Sequence, residues 1–302
     1  VKLSDREHLL KRPTMYLGAT DRTTLEDFIL SENEIKYGEF SVVPGLIKII
    51  NEVIDNSIDA AIRANFKTGV NISIKIDSQK VEVKDDGSGI PSKKSGEHYP
   101  AELCWGFARA GSNFGDDSTR VTTGMNGIGS FITNVYSKKF VGISDDGKGC
   151  VKFSSKNNAA TYDVSYSESK CRGTIVTFVP DLERFKLTEI DETHKSVIYQ
   201  RLINLSVCYP QINFKFNNKT IKVQSFKKLA QLFNPKAEVY ENSNISIAIA
   251  PNETDDFKHY SYVNGLKIPD GGTHIDTIMQ QVVSGLRDKL QRKYKNIKPG
   301  DI

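Results

Sequence analysis

Four side chains of binding and metal chemistry lie on one helical face within Asn51 to Arg63, NEVIDNSIDAAIR. At about 100° per residue, Glu52, Asn56, Asp59 and Arg63 fall at i, i+4, i+7 and i+11 and point the same way. Leu46, Ile49, Ile50, Val53, Ile54, Ile58, Ala60, Ala61 and Ile62 fill most of the remaining circumference, so the helix is expected to be buried over most of its surface. Burying two carboxylates, an amide and a guanidinium costs several kcal/mol unless something polar occupies the space in front of them. A ligand with its metal would fill that space.

A second cluster is Val81 to Pro91, VEVKDDGSGIP, where an alternating strand runs into Asp85-Asp86-Gly87-Ser88-Gly89. The glycines let the backbone turn sharply and approach a flat ligand, and the Asp85 carboxylate can accept a hydrogen bond from an exocyclic amine. Taken alone, this run reads equally as a hairpin turn. The third cluster is Gly124-Met125-Asn126-Gly127-Ile128-Gly129, whose glycines open a helical pattern where backbone N–H groups can cradle phosphate. Its spacing is not the dinucleotide fingerprint, and it follows a polar loop instead of a buried strand. Ala110 to Gly115 upstream offers small and hydroxyl groups of the kind that line a phosphate loop. A fourth run, Gly173-Thr174-Ile175-Val176-Thr177-Phe178, reads as a core strand. Gly142 to Gly149 mimics a P-loop, but Gly149 replaces the magnesium-binding hydroxyl and a strand follows, so Asp145 to Gly149 is read as a hairpin turn.

These segments must be held by an ordinary globular chain. With 302 residues, 38% hydrophobic and 26% charged, there is room for about two domains. A net charge of +4 permits contact with nucleic acid without demanding it. Cys104, Cys150, Cys171 and Cys208 lie far apart, which suggests neither a zinc site nor a disulfide framework and fits a reducing compartment. The five histidines lack ligand spacing. No apolar run approaches the roughly 18 residues of a membrane span. The basic runs at Lys227-Lys228 and Arg287 to Lys298 read as solvated helix faces. The opening Val-Lys and the ending Asp301-Ile302 suggest a piece of a longer protein.

In order along the chain, E-x-x-x-N-x-x-D, D-x-G-x-G, G-x-x-G-x-G and G-T-x-V-T-F together resemble the GHKL (Bergerat) ATP-binding fold shared by DNA gyrase, ninety-kilodalton heat-shock chaperones, histidine kinases and mismatch-repair ATPases. The likeness narrows to type IIA DNA topoisomerases. His8-Leu9-Leu10-Lys11-Arg12-Pro13-Thr14-Met15-Tyr16-Leu17-Gly18 resembles the opening of their ATPase domain, and Tyr262-Val263-Asn264-Gly265 with Gly271-Gly272-Thr273-His274-Ile275-Asp276 resembles their transducer. Lys48 and Ser112-Asn113-Phe114 are similar to the eukaryotic and T-even-phage branch, the large subunit in the latter.

The resemblance implies an α/β fold: a two-layer sandwich of mixed sheet and helices over residues 1–222, then a smaller α/β transducer over residues 223–302. It implies ATP and Mg²⁺ as cofactors, with Glu52 as general base and Lys48 keeping it ionised. Asn56 would ligate Mg²⁺, and Asp85 would receive the adenine amine with Thr174 nearby, at a turn formed by Gly87, Gly89 and Ile90. Ser112, Asn113, Asn126, Gly127, Ile128 and Gly129 would surround the phosphates, and Arg63 would reach the phosphate end or hold the closed lid. The implied partners are double-stranded DNA, the cleavage core of the enzyme and a second copy joined on ATP binding, with no membrane. The implied place is the host cytoplasm for a phage protein or the nucleus for a eukaryotic one. A chaperone-like or repair-like ATPase acting on proteins is the alternative. Departures are Ala60, Met125 and Ser130-Phe131 where relatives carry Asn, Arg and Ala-Lys. No Gln-Thr-Lys, the tripeptide that carries the family's catalytic lysine, occurs in residues 1–302.

Overall fold

Strong local patterns build the elements that carry the motifs. In the computed structural model, which describes residues 3–31, 34–108, 128–223, 225–251 and 256–294, the chain opens with α1 (Asp5–Lys11) and α2 (Thr14–Leu17). A Ser4/Glu7 capping box starts α1. A hairpin of β1 (Thr23–Ser31) and β2 (Glu34–Val42) follows, then α3 (Pro44–Arg63), with Pro44 in its first turn and ten buried residues along its length. β3 (Asn71–Ile76), β4 (Val81–Asp85) and α4 (Pro100–Gly106) lead to α5 (Gly129–Val135). β5 (Ser137–Asp146), β6 (Gly149–Lys156), β7 (Thr161–Glu168) and β8 (Arg172–Pro180) precede α6 (Glu192–Cys208), β9 (Asn213–Phe216) and β10 (Lys219–Thr220).

The last eight strands form one sheet in the order β10-β9-β3-β4-β8-β5-β6-β7, antiparallel except for β3 beside β9. Alternation places Ile72, Ile74, Val83, Phe140, Phe153, Phe178 and Phe214 on one face, where they are almost fully buried under α3, α4, α5 and α6. The opposite face carries no packed helix among these and is described further below. Trp105 of α4 lies 2% exposed between Phe140 and Phe153, and its rings crowd the place where a side chain at Gly142 would stand. Its backbone carbonyl accepts a 2.9 Å hydrogen bond from Asn134 of α5.

The two-layer mixed sheet and helices agree with the expected class, and Asp146 to Gly149 is the expected tight turn, with Gly147 at φ +83°. Val81–Pro91 is not a hairpin: β4 ends at Asp85 and the chain leaves the sheet toward α4. Strand β7, the β1/β2 hairpin and α6 were not anticipated. The hairpin leans on α6, with Leu30 N–H donating to Gln200 at 2.7 Å, and on α7 (Phe226–Phe233) through Phe28 and Phe233. After α7 come β11 (Glu238–Glu241) paired with β12 (Ser246–Ile249), and then β13 (Tyr262–Val263), β14 (Leu266–Lys267) and α8 (Thr273–Lys293). Packing divides the chain into compact units at 1–250 and 251–302, so α7 and the β11/β12 pair pack with the first unit although the sequence placed them beyond residue 222.

Candidate functional site

The polar face of α3 meets the start of α5. Glu52, with 18% of its side chain exposed, is ion-paired with Lys48 one turn earlier. A side chain added at Gly129 would stand 1.8 Å from Glu52 Oε2, so the carboxylate lies directly against the backbone that opens α5. One turn on, Asn56 Nδ2 donates to Ser130 Oγ at 2.8 Å, which leaves the amide oxygen as a neutral ligand. Thr133 Oγ1 donates to the Ile49 carbonyl at 3.0 Å and fixes the two helices together.

The other half of the site is the end of β4. Asp85 is 4% exposed; Ser57 Oγ donates to its Oδ2 at 2.8 Å and Gly87 N–H to its Oδ1 at 2.9 Å. Burial pushes the Asp85 carboxyl above its ordinary value, and the hydrogen bonds from Ser57 and from the backbone of Gly87 and Thr174 pull it partly back. Thr174 is the ladder partner of Asp85 on β8. Gly89, at φ +74°, passes so close to β5 that a Cβ would lie 1.9 Å from the Asp145 carbonyl oxygen; only glycine fits. Ile90 N–H donates to Ser144 at 2.7 Å and Ser92 N–H to Asp146 at 2.8 Å, tying the loop to β5. The neighbouring Asp86 serves the scaffold instead, accepting from the backbone and side chain of Asn71 at 2.9 and 2.6 Å.

α6 holds α3 from behind. Arg201 donates to Asn51 at 3.1 Å and to Asp55 at 2.6 Å. His194, fully buried, accepts the Val43 N–H at the N-cap of α3 at Nε2 (2.9 Å), so its proton sits on Nδ1 and is donated to Asp191 at 2.7 Å. Arg22 pairs with the same Asp191 and also donates to the Ser41 carbonyl at 2.8 Å.

The structure thus brings Glu52, Asn56, Ile128 and Gly129 together at one end, and Asp85, Gly87, Gly89, Ile90 and Thr174 at the other, with Ser57 linking α3 to the strand. Ser112, Asn113, Asn126 and Gly127 lie outside the described residues. Arg63 is exposed at the last residue of α3, about 16 Å along the axis from Glu52 by helical rise. Asp59 is 1% exposed and adds its charge to the surroundings of Tyr209 instead of presenting a free carboxylate. Ser57, Ser130 and Ser144 are contacts that sequence reasoning missed; the signal for Ser57 was a single hydroxyl on the apolar side of a helix.

The family model described as Histidine kinase-, DNA gyrase B-, and HSP90-like ATPase matches residues 42–184, and the one described as DNA gyrase B matches residues 212–302. The DNA topoisomerase large subunit of Enterobacteria phage T4 is 40% identical over 299 residues, which cover 97% of this chain and 57% of that protein. Over nearly its whole length the chain is homologous to the type II DNA topoisomerases. DNA topoisomerase 2 of Saccharomyces cerevisiae is 30% identical over 325 residues, 97% of this chain and 23% of that one. The crystal structure of the ATPase region of that yeast topoisomerase II superposes with a TM-score of 0.86 at 28% identity, covering 99% of this chain and 82% of that one. The ATPase and transducer domains of DNA topoisomerase II from Balamuthia mandrillaris superpose at 0.90 with 27% identity, 99% of this chain and 81% of that one. The chain therefore spans little more than half of the phage relative and about a quarter of the yeast one. The ATPase model matched over residues 42–184 gives this region a nucleotide-binding fold, and the Glu52 and Asp85 clusters both lie within it.

Proposed function

We propose that this topoisomerase-family region binds Mg-ATP between α3 and the end of β4 and hydrolyses it, so that ATP binding closes a dimeric clamp on a segment of double-stranded DNA and hydrolysis reopens it. The observation that carries this reading is the placement of Glu52. Its carboxylate is paired with a lysine, pressed against a glycine backbone and one turn from a free amide oxygen on the same face. Asp85 supports the adenine end: a buried carboxylate has about four lone-pair sites, so beside its hydrogen bonds from Ser57 and Gly87 it can still accept from an amine.

The residues present fit both cofactors. Asn56 offers Mg²⁺ the neutral oxygen a hard cation accepts, and the bound ion would neutralise charge developing on the phosphates. Glu52 orients a water in line with the terminal phosphate and accepts its proton, with Lys48 paired to it one turn earlier. Asp85, with Thr174 beside it, selects adenine, and Gly89 and Gly129 let the backbone approach where a side chain would not fit. Ser112, Asn113, Asn126 and Gly127 would complete the phosphate shell, and Arg63 would act at the phosphate end or on the closed lid. The partners would be DNA, the cleavage core of the enzyme and a second copy of the chain. The comparisons with topoisomerases, over nearly the whole chain, favour this reading over a chaperone-like or repair-like ATPase.

The test is a calorimetric titration with a non-hydrolysable ATP analogue and Mg²⁺ on the parent and on Asp85→Asn, with folding checked by thermal melting. Binding by the parent and its loss in a folded variant support the reading; a folded parent that binds nothing removes it.

A further inference from the structure

The helix-free face of the large sheet is laid out by strand register. Ser73 of β3 pairs with Lys215 of β9 on one side and Lys84 of β4 on the other. Lys84 pairs with Ile175 of β8, Ile175 with Ile143 of β5, and Ile143 with Lys152 of β6. Lys215, Lys84 and Lys152 are therefore exposed on one row across the sheet. The row crosses five inter-strand spacings, about 24 Å from Lys215 to Lys152, with Lys84 about 10 Å from the first and about 14 Å from the second. Three more exposed lysines flank it on the same face: Lys75 on β3, Lys139 on β5 and Lys156 on β6, the last two being ladder partners. The strand carboxylates turned this way are Glu82, which pairs with Lys75 at 3.5 Å, Asp163 on the edge strand, and Asp145, whose Oδ1 is buried. Lys84, Lys139, Lys152, Lys156 and Lys215 have no ion-pair partner among the described residues.

Strands of a soluble sheet commonly show one polar face to water, but here lysines outnumber carboxylates two to one and three of them share one row across the sheet. Half-buried Ile175, Ile143, Val141 and Val179 fill the middle, so the lysines stand around a low apolar floor. We propose that this face is a docking surface for duplex DNA, contacted through phosphates with no reading of sequence. Charge complementarity selects the occupant. A duplex presents a negative charge about every 1.7 Å along its axis, and a row of unpaired ammonium groups over about 24 Å meets several phosphates at once. Point-charge lysines without arginine forks or base-reading amides suit backbone contact alone. The inference takes from the proposed function only that DNA is a partner; it assigns the surface, and it fails separately from the nucleotide site.

The experiment uses the full chain with a fluorescent DNA duplex, measuring anisotropy across a salt series. The triple variant K84Q/K152Q/K215Q is expected to bind at least about tenfold more weakly at physiological salt, and to lower the slope of log K against log salt by about 2–3. It should keep the parent's melting temperature and its affinity for the ATP analogue. A matched variant on α8, R287Q/K289Q/R292Q, is expected to retain the parent slope. The proposal is overturned if the sheet variant binds DNA with unchanged affinity and slope, if the α8 variant alone abolishes binding, or if the parent binds anionic lipid vesicles but no duplex. Loss of ATP-analogue binding in the parent would instead count against the nucleotide site.

Discussion

Glu52 and Asp85 are both carboxylates, yet their surroundings set them to different work. Glu52 is partly solvated and paired; Asp85 is buried, and its desolvation raises its pKa. Glu52→Gln is expected to bind the ATP analogue like the parent while its turnover, measured in the full-length protein, falls by about 10²–10⁴-fold; near-normal turnover would remove Glu52 from the role of base. Gly129→Ala should lose turnover comparably, because a Cβ 1.8 Å from Oε2 must displace the carboxylate. Lys48→Met separates stability from catalysis. Lys48 is about half exposed, so the ion pair contributes about 0–1 kcal/mol to folding. Its loss is expected to leave the melting temperature within a degree or two while slowing hydrolysis. The types and spacing of these residues were legible because an i, i+4 pair on an amphipathic helix needs no tertiary information. Their serine partners were not, since Ser57, Ser130 and Ser144 acquire meaning only when α3, α5 and β5 are brought together.

At the scale of elements, α3 is placed by its contacts with α6. Arg201→Met should leave Asn51 and Asp55 without their shared donor, costing about 1–3 kcal/mol of stability by chemical denaturation. At the helix N-terminus, partial burial alone would raise the Asp191 pKa, but hydrogen bonds from Arg22 and His194 bring it down to about 2. The folded state therefore holds that carboxylate ionised more tightly than the unfolded chain. The contribution is complete above the ordinary value of 3.8 and is lost as pH falls toward about 2. Asp191→Asn should flatten that part of a plot of melting temperature against pH. Strands β4, β6 and β8 were readable in the sequence. The β1/β2 hairpin was not, because its charged residues are interleaved without a turn signature. α6 was hidden by buried polar residues, His194, Gln200, Asn204 and Ser206, which break the apolar stripe a helix normally displays.

At the scale of the molecule, the two units differ in how much they bury. α3 has ten buried residues, whereas none of the described residues of α8 is buried. Amide hydrogen exchange should therefore be slowest in α3 and the central strands and much faster along α8. Equal protection in α3 and α8 would contradict this. The likeness to type II topoisomerases was visible in the sequence because it rests on short motifs spread over most of the chain. The place where packing divides the chain was not, since α7 and the β11/β12 pair join the first unit through contacts with the unanticipated hairpin and α6.

The chain has a single tryptophan, and the fold has set it beside the moving parts such an enzyme would need. Trp105 lies in the last turn of α4, its carbonyl held by Asn134 of α5 and its rings resting on β5 and β6. An indole so placed will emit at short wavelength, and any shift of α4 against α5 on nucleotide binding will change its intensity or colour. The protein thus carries its own optical gauge of α4 against α5, readable by stopped-flow without a label.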